Sequence, residues 1–201
     1  MTWELFNVIG TIAFALSGVI VAMEEDYDIM GVYILGLVTA FGGGAIRNLL
    51  IGLPVTALWE QGTLFTIAIV VMTLAFIFPI WINKWLKWGI LFDAIGLAAF
   101  AIQGALFAQG MGLPLSAVIV AAMLTGTGGG IVRDVLAGRK PLVFSSDIYV
   151  LWAIFGGLVI GITEIQAMWQ LLILLVAIVT LRMLSVQYRW QLPHKNVKAS
   201  G

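Results

Sequence analysis

Two short segments combine three consecutive glycines with an arginine three residues later, and this pattern is suited to handling ions inside a membrane. The segments are Gly42-Gly43-Gly44 with Arg47, and Gly128-Gly129-Gly130 with Arg133. Each glycine costs a helix about 1 kcal/mol relative to alanine, and a broken helix frees backbone groups that lipid cannot satisfy. We therefore predict that both triplets kink their helices beside a permeation or binding pathway. The alternative is close helix packing, which small residues permit.

Two arginines and two threonines accompany the triplets. Ionisable residues within a membrane are rare and usually face the bundle interior or water. We therefore expect Arg47 and Arg133 to line the pathway, the alternative being that each snorkels to its nearer interface. Thr39 and Thr125 offer hydroxyl groups beside the triplets, and these can equally bond back to their own helices.

Further polar residues fall within or beside apolar segments. Asp134 directly follows Arg133, and because adjacent helix positions do not face each other, we expect it to pair with a basic group on another helix. Asp93 begins an apolar segment, so a position at the helix N-cap or in the first turn is favoured slightly over a role in conduction. Ser17 and Gln103 are polar in mid-segment and are expected to hydrogen-bond across helices.

Composition indicates an integral membrane protein. The chain has 201 residues, of which 62% are hydrophobic and 10% charged, whereas soluble domains carry roughly 25% charged residues. Cysteine is absent and the single histidine, His194, lies in a polar tail. These features make a soluble enzyme, a nucleic-acid binder and a metal or cofactor site improbable. We expect no enzymatic activity.

Seven segments are apolar and long enough to approach a membrane crossing. They cover about 5–23, 29–52, 61–82, 89–108, 113–132, 147–163 and 167–185. With seven crossings, nine of the ten lysines and arginines fall on one side and only Arg47 on the other. The positive-inside rule then places the N-terminus outside and the C-terminus in the cytoplasm, as for a protein of the plasma membrane.

The chain contains an internal repeat. Residues 7–52 align with 93–138 without a gap, at an offset of 93 − 7 = 86, and the triplets and arginines coincide. Each repeat holds three segments, an odd number, so the second enters the membrane inverted. The predicted fold is all-α, with two inverted three-helix repeats (residues 1–86 and 87–165), a seventh helix (166–190) and a cytoplasmic tail (191–201).

The doubled motif resembles the prokaryotic branch of the trimeric intracellular cation channels. The resemblance rests on Gly42 to Arg47, on Gly128 to Asp134, and on the matching segments Ile9 to Phe14 and Asp93 to Phe100. It implies a homotrimer in membrane lipid with one pore per subunit, lined by the second and fifth helices kinked at the triplets. It also implies permeation of monovalent cations, chiefly potassium, with the two arginines at the pore or its gate.

Three functions remain open from the sequence. The first is a potassium-permeable channel, suited by backbone oxygens and threonine hydroxyls that hold a cation weakly. The second is a secondary transporter for glycine or a similar small zwitterion, in which an arginine holds the carboxylate and Asp93 or Asp134 the ammonium. The third is an assembly subunit without transport. An arginine repels cations in a pore, and a channel can tolerate this if carboxylates offset the charge or if the arginines move with voltage and act as a gate. We favour the gate for Arg47 and Arg133.

Overall fold

Seven α-helices account for most of the residues that the computed structural model describes, which are 2–78, 88–144, 148–163 and 165–193. They are α1 (Thr2–Glu24), α2 (Ile29–Leu50), α3 (Gly62–Ile77), α4 (Gly89–Gly110), α5 (Leu115–Leu136), α6 (Val150–Thr163) and α7 (Met168–Gln187). Short 3-10 helices cover Val55–Glu60 and Leu142–Phe144. Five of the helices are long and apolar enough to cross a membrane, while α3 and α6 are shorter. The predicted residues 79–82 of the third segment and the tail from His194 lie outside the described residues.

A capping side chain and two glycines mark the ends of α2 and α5. Asp28 caps α2 by accepting a hydrogen bond from the Gly31 amide at 2.8 Å. Gly52 and Gly138 follow α2 and α5 with φ of 76° and 70°, the left-handed conformation that glycine adopts without strain. Each thereby stops its helix one turn after the motif arginine.

Helices α1 and α4 form the centre of the molecule. They pack on each other, and α2 and α5 pack on each other beside them. Helix α3 covers α1 and α2, α6 covers α4 and α5, and α7 packs against α4 and α6. Two apolar clusters result, one centred on α1 to α3 and the other on α4 to α7.

Equivalent positions of the two halves meet each other in exchanged pairs. A Cβ atom on Gly10 would lie 2.7 Å from the Phe100 ring, and Gly96 faces Phe14 in the same way. The two phenylalanine rings pack edge to face with centroids 5.3 Å apart. Gly10 and Gly96 are therefore required by the opposing rings, and the pairing runs in opposite directions along α1 and α4.

The distribution of polarity is the reverse of that in a soluble protein. Large apolar side chains are exposed along the outer helices, such as Ile34 at 56% and Val176 at 60%. By contrast, Arg47, Asp93, Arg133, Asp134 and Arg182 are each no more than 3% exposed. A lipid environment explains both observations, because lipid accepts the apolar exterior and forces charges inward.

Candidate functional site: two arginine clusters joined by the glycine triplets

The glycine triplets lie where α2 crosses α5. A Cβ atom on Gly43 would collide with the Thr125 carbonyl oxygen, and one on Gly129 with the Thr39 carbonyl oxygen. Both helices remain α-helical through their triplets. The predicted break with freed backbone groups is therefore absent from α2 and α5, and the middle glycines instead allow two backbones to touch.

The third glycine of each triplet makes room for the arginine that follows it. The Cβ position of Gly44 lies 4.0 Å from Nη2 of Arg47, and that of Gly130 lies 3.8 Å from Nη2 of Arg133. Each guanidinium thus folds back over the preceding turn of its own helix. The three-residue spacing in the motif has this direct structural cause.

Arg133 is the centre of a charged cluster. Its Nη1 donates to Oδ1 of Asp93 at 2.7 Å and to Oγ of Ser17. Its Nε donates to Oδ1 of Asp134 at 2.8 Å, and Nη2 lies 2.7 Å from the same oxygen. Asp134 Oδ2 also accepts the Leu142 amide at 3.0 Å, which ties the following loop to the cluster.

Arg47 is the centre of an equivalent cluster in which amides replace the carboxylates. Its Nη1 donates to Oε1 of Gln103 at 2.6 Å, and its Nη2 to Oδ1 of Asn48 at 2.8 Å. The guanidinium carbon lies 4.5 Å from the centre of the Phe107 ring. No salt bridge to Arg47 occurs among the residues the structure describes. The two clusters thus share a geometry but differ by two negative charges.

The clusters are built by exchange between the halves. Ser17 on α1 bonds Arg133 of the second half, and its equivalent Gln103 on α4 bonds Arg47 of the first. This arrangement confirms the predicted hydrogen bonds of Ser17 and Gln103 across helices. Both arginines are buried, so snorkelling to an interface is wrong for each.

Two expectations about carboxylates are wrong. Asp134 pairs with Arg133 itself, because the long arginine side chain curls back to reach its neighbour although the two Cβ atoms diverge. Asp93 is no N-cap, since α4 begins at Gly89 with Trp88 as its cap. Asp93 instead lies in the second turn, 2% exposed and paired with Arg133.

The hydroxyl groups of Thr39 and Thr125 bond back to their own helices in this conformation. Oγ1 of Thr39 donates to the Leu35 carbonyl and Oγ1 of Thr125 to the Ala121 carbonyl, each at 2.6 Å. Such bonds satisfy a hydroxyl within its own helix. Their oxygens are buried at the packing of α1 on α2 and of α4 on α5, where Gly18 and Gly104 leave them room.

A cavity reaches the Arg133 cluster from one end of the molecule. It has a volume of about 260 Å³, and its walls include Ser17, Asp93 and Arg133. Glu24 and Arg139 stand at its outer part. At the other cluster, the space among Asn7, Gln103, Thr125 and Arg47 is only about 10 Å³. In this conformation the two backbones touch at the middle glycines, and a further cavity of about 160 Å³ lies between α2 and α5 on the other side of Arg47.

An ion pair network lies beside the mouth of the Arg133 cavity. Arg139 donates to Oε2 of Glu24 at 2.6 Å and to Oε1 of Glu25 at 2.5 Å. Partial burial alone would lower the pKa of Arg139, but the hydrogen bonds and charges of the two glutamates outweigh it and raise that pKa. Arg139 therefore stays charged and joins the end of α1 to the loop after α5.

Two buried residues near the Arg133 cluster lie outside the repeated motif, which therefore does not predict them. Tyr149 and Arg182 are 2% and 1% exposed, and the guanidinium carbon of Arg182 lies 4.9 Å from the Tyr149 ring centre. Arg182 could have been found from the sequence as a charged residue inside the seventh apolar segment. Within residues 2–78, 88–144, 148–163 and 165–193, no group of three His, Cys, Asp or Glu side chains could hold a metal ion.

These features define the class of the protein. Apolar helices with a lipid-compatible exterior enclose paired, buried charges, which is the arrangement of a multi-pass helical membrane protein. A family model described as "Glycine transporter" matches the chain twice, over residues 4–79 and 90–164. A membrane protein of Bacillus subtilis, named UPF0126 membrane protein YvgT, is 61% identical over 98% of both chains.

Solved structures identify the family further. A structure described as giving the basis for conductance through TRIC cation channels is 32% identical, covers 100% of both chains and has a TM-score of 0.84. The trimeric intracellular cation channel orthologue from Rhodobacter sphaeroides is 27% identical over 93% of this chain and 98% of its own, with a TM-score of 0.85. The chain belongs to the TRIC family, and it is a membrane protein and not an enzyme.

Proposed function

We propose that this protein is a cation channel permeable to potassium, and that it works as a homotrimer with one pore in each subunit. The pore runs between α2 and α5, past the glycine triplets. Support comes from the solved relatives, which are described as cation channels and as trimeric. The observation that carries the proposal is the pair of buried arginine clusters at the two ends of the α2–α5 contact, each completed by a side chain from the other half.

The proposed pore rests on an inverted repeat of three helices plus three, followed by α7. The family model matches twice, with bounds close to the proposed division at residues 86 and 165. Gly43 meets Thr125 while Thr39 meets Gly129, so the order of contacts reverses along α2 and α5. Such a reversal is expected when equivalent helices run antiparallel. In proteins built from inverted repeats, transport sites lie at the interface between the two halves.

The clusters act as gates in this proposal. A potassium ion 4 Å from a guanidinium is repelled by about 4 kcal/mol at an effective dielectric constant near 20. At the Arg133 cluster, Asp93 and Asp134 offset that charge. At the Arg47 cluster, only the neutral side chains of Asn48 and Gln103 bind the guanidinium. A cation therefore passes only after Arg47 has moved away from the path.

A glycine carrier is the alternative, and the description of the family model favours it. In such a carrier an arginine must bind the carboxylate of the substrate. Arg133 already holds two carboxylates of the protein, so its site disfavours a third. Arg47 lacks a carboxylate, and the space between it and Gln103 is only about 10 Å³. The cavity of about 160 Å³ on its other side is lined, apart from Arg47, by apolar side chains such as Leu50 and Val120, which offer no partner for the ammonium group of glycine.

Recording from planar bilayers tests the proposal. The purified protein is reconstituted and a potassium chloride gradient is applied, and we expect unitary currents that reverse near the potassium potential. Arg133→Ala is expected to change the open probability or its voltage dependence more than the ion preference, because it removes a gate. Arg189→Ala removes an exposed arginine outside both clusters and serves as the control.

Two outcomes would refute this function. Verified insertion without unitary current, accompanied by counterflow of labelled glycine, would favour the carrier. A collapse of cation preference in Arg133→Ala with gating unchanged would refute the role of Arg133 as a gate.

We also propose that the protein lies in a prokaryotic plasma membrane with its N-terminus outside and its C-terminus in the cytoplasm. With seven crossings, nine of the ten lysines and arginines fall on the cytoplasmic side. Labelling of single cysteines placed at each end tests this.

A further inference from the structure

The seventh helix has no counterpart in the repeat, yet it carries a fully buried charge. Arg182 is 1% exposed, and its guanidinium carbon lies 4.9 Å from the centre of the Tyr149 ring. Its Nη1 donates to the Ile148 carbonyl at 3.4 Å. Burying a charge in a membrane bundle is costly and usually has a functional reason. Here the guanidinium contacts Ile148 and Tyr149, the two residues that precede α6.

Tyr149 links this contact to the Arg133 cluster. Its hydroxyl lies 3.2 Å from the Cβ position of Gly130. The same position is 3.6 Å from Oδ1 of Asp93 and 3.8 Å from Nη2 of Arg133. The Tyr149 hydroxyl, the carboxylate and the guanidinium therefore converge over one glycine. The Tyr149 ring, in turn, lies against Arg182.

The first half has the geometry of this contact without the charge. Gln61 immediately precedes α3, as Tyr149 precedes α6, and its Oε1 accepts from Nδ2 of Asn7 at 3.3 Å. Asn7 is the residue equivalent to Asp93. Over Gly44, however, lies the apolar side chain of Leu58, 3.6 Å from the Cβ position. Among the described residues, the aromatic link to an arginine of α7 is thus present at the Arg133 cluster, and the apolar Leu58 stands in its place at the Arg47 cluster.

We propose that Arg182 is a positioning residue that acts through Tyr149 on the Asp93–Arg133 pair, so that α7 sets how readily the Arg133 end opens. The Arg182 cation packs against the Tyr149 ring, and the Tyr149 hydroxyl occupies the space beside the carboxylate and the guanidinium. The inference rests on the proposed gate at Arg133. It adds a control element on one end that the repeat itself does not supply.

A cysteine placed in the cavity reports opening without requiring a current. The chain has no cysteine of its own. Val21 is 8% exposed and lines the Arg133 cavity, so Val21→Cys provides a single reactive thiol there. Its rate of labelling by a charged thiol reagent is measured in vesicles, alongside open probability in bilayers. Tyr149→Phe and Arg182→Gln are introduced singly and together.

We expect Arg182→Gln to raise the labelling rate and the open probability by a factor between about 2 and about 30, the range given by cation–π contacts from exposed to desolvated sites. Tyr149→Phe keeps the ring and removes only the hydroxyl, and we expect it to raise both quantities through the loss of that group beside Asp93 and Arg133. The double variant should equal the larger single effect, because both changes act in one chain of contacts. Trp152→Phe is the matched control. It removes the Trp152–Ser185 hydrogen bond at the same α6–α7 junction but leaves Tyr149 in place.

The outcomes separate this inference from the channel itself. Raised labelling without current in any variant supports the coupling and refutes conduction. Current in the parent protein, with labelling and gating unchanged in Tyr149→Phe and Arg182→Gln, refutes the coupling. Additive effects, or an equal effect of Trp152→Phe, would mean that the junction acts only by stabilising the fold. Thermal unfolding of each variant checks that it is folded. Arg182→Lys keeps the charge and loses the planar face, so its labelling rate and open probability should lie between those of the parent protein and Arg182→Gln.

Discussion

The contact between the triplets can be tested by adding one methyl group at neighbouring positions. In Gly43→Ala the new Cβ meets the Thr125 carbonyl oxygen, which belongs to a helix backbone and cannot turn aside. In Gly44→Ala the nearest atom is Cδ2 of Leu58 at 3.6 Å, an ordinary contact. Both changes make the same gain in helix propensity. The difference between them therefore isolates the packing of α2 on α5.

The expected magnitude follows from these two effects. Glycine to alanine in a helix interior is favourable by about 1 kcal/mol, and overpacking a tight contact costs about 1–3 kcal/mol. Gly44→Ala should therefore be neutral or slightly stabilising. Gly43→Ala should be less stable than Gly44→Ala by about 1–3 kcal/mol. For a chain of this length each kcal/mol corresponds to roughly 2–4 °C in melting temperature.

Tryptophan fluorescence during heating in detergent measures this difference, because the chain has eight tryptophans. Gly129→Ala provides a mirror test, since its Cβ would meet the Thr39 carbonyl oxygen, and Gly42→Ala provides a second control with its nearest atom at 3.7 Å. If Gly43→Ala and Gly44→Ala melt together, the helices do not touch at the middle glycines. The closed contact described above would then be incorrect.

Two further predictions concern charge. Asn48→Asp should place a carboxylate beside Arg47, as Asp134 stands beside Arg133, and should raise potassium conductance because it removes an unbalanced positive charge; an unchanged conductance would mean that Arg47 is outside the path. Arg139→Gln should lower stability by no more than about 1 kcal/mol, because its ion pairs are partly exposed. This loss should shrink in 1 M salt, so a loss that persists at high salt would contradict a screened surface pair.

The repeat and the two arginines could be predicted from the sequence because they depend on identity at a fixed offset. A triplet followed by arginine at the same spacing in both halves is improbable by composition. The exchange of Ser17 and Gln103 followed from the same alignment. These inferences needed no knowledge of distances, which is why they survive in the structure.

The partners of the carboxylates could not be predicted, because they depend on helix starts and side-chain reach. Helix α4 begins four residues before Asp93, which turns a supposed cap into a buried partner. Arg133 is long enough to contact Asp134 although the Cβ directions of adjacent residues diverge. Tyr149 and Arg182 come together only through the packing of α7, so no local pattern predicts their contact.

In the proposed channel, the exchanged geometry makes the two gates mechanically dependent. Ser17 holds Arg133 and Gln103 holds Arg47, and both acceptors lie on the central helices α1 and α4. Between them the Phe14 and Phe100 rings interlock, each filling the space over a glycine of the other helix. A movement of α1 against α4 that withdraws one acceptor therefore disturbs the other through a rigid aromatic contact. We therefore expect both arginines of the proposed channel to be released together, with the carboxylates and α7 biasing the Arg133 end.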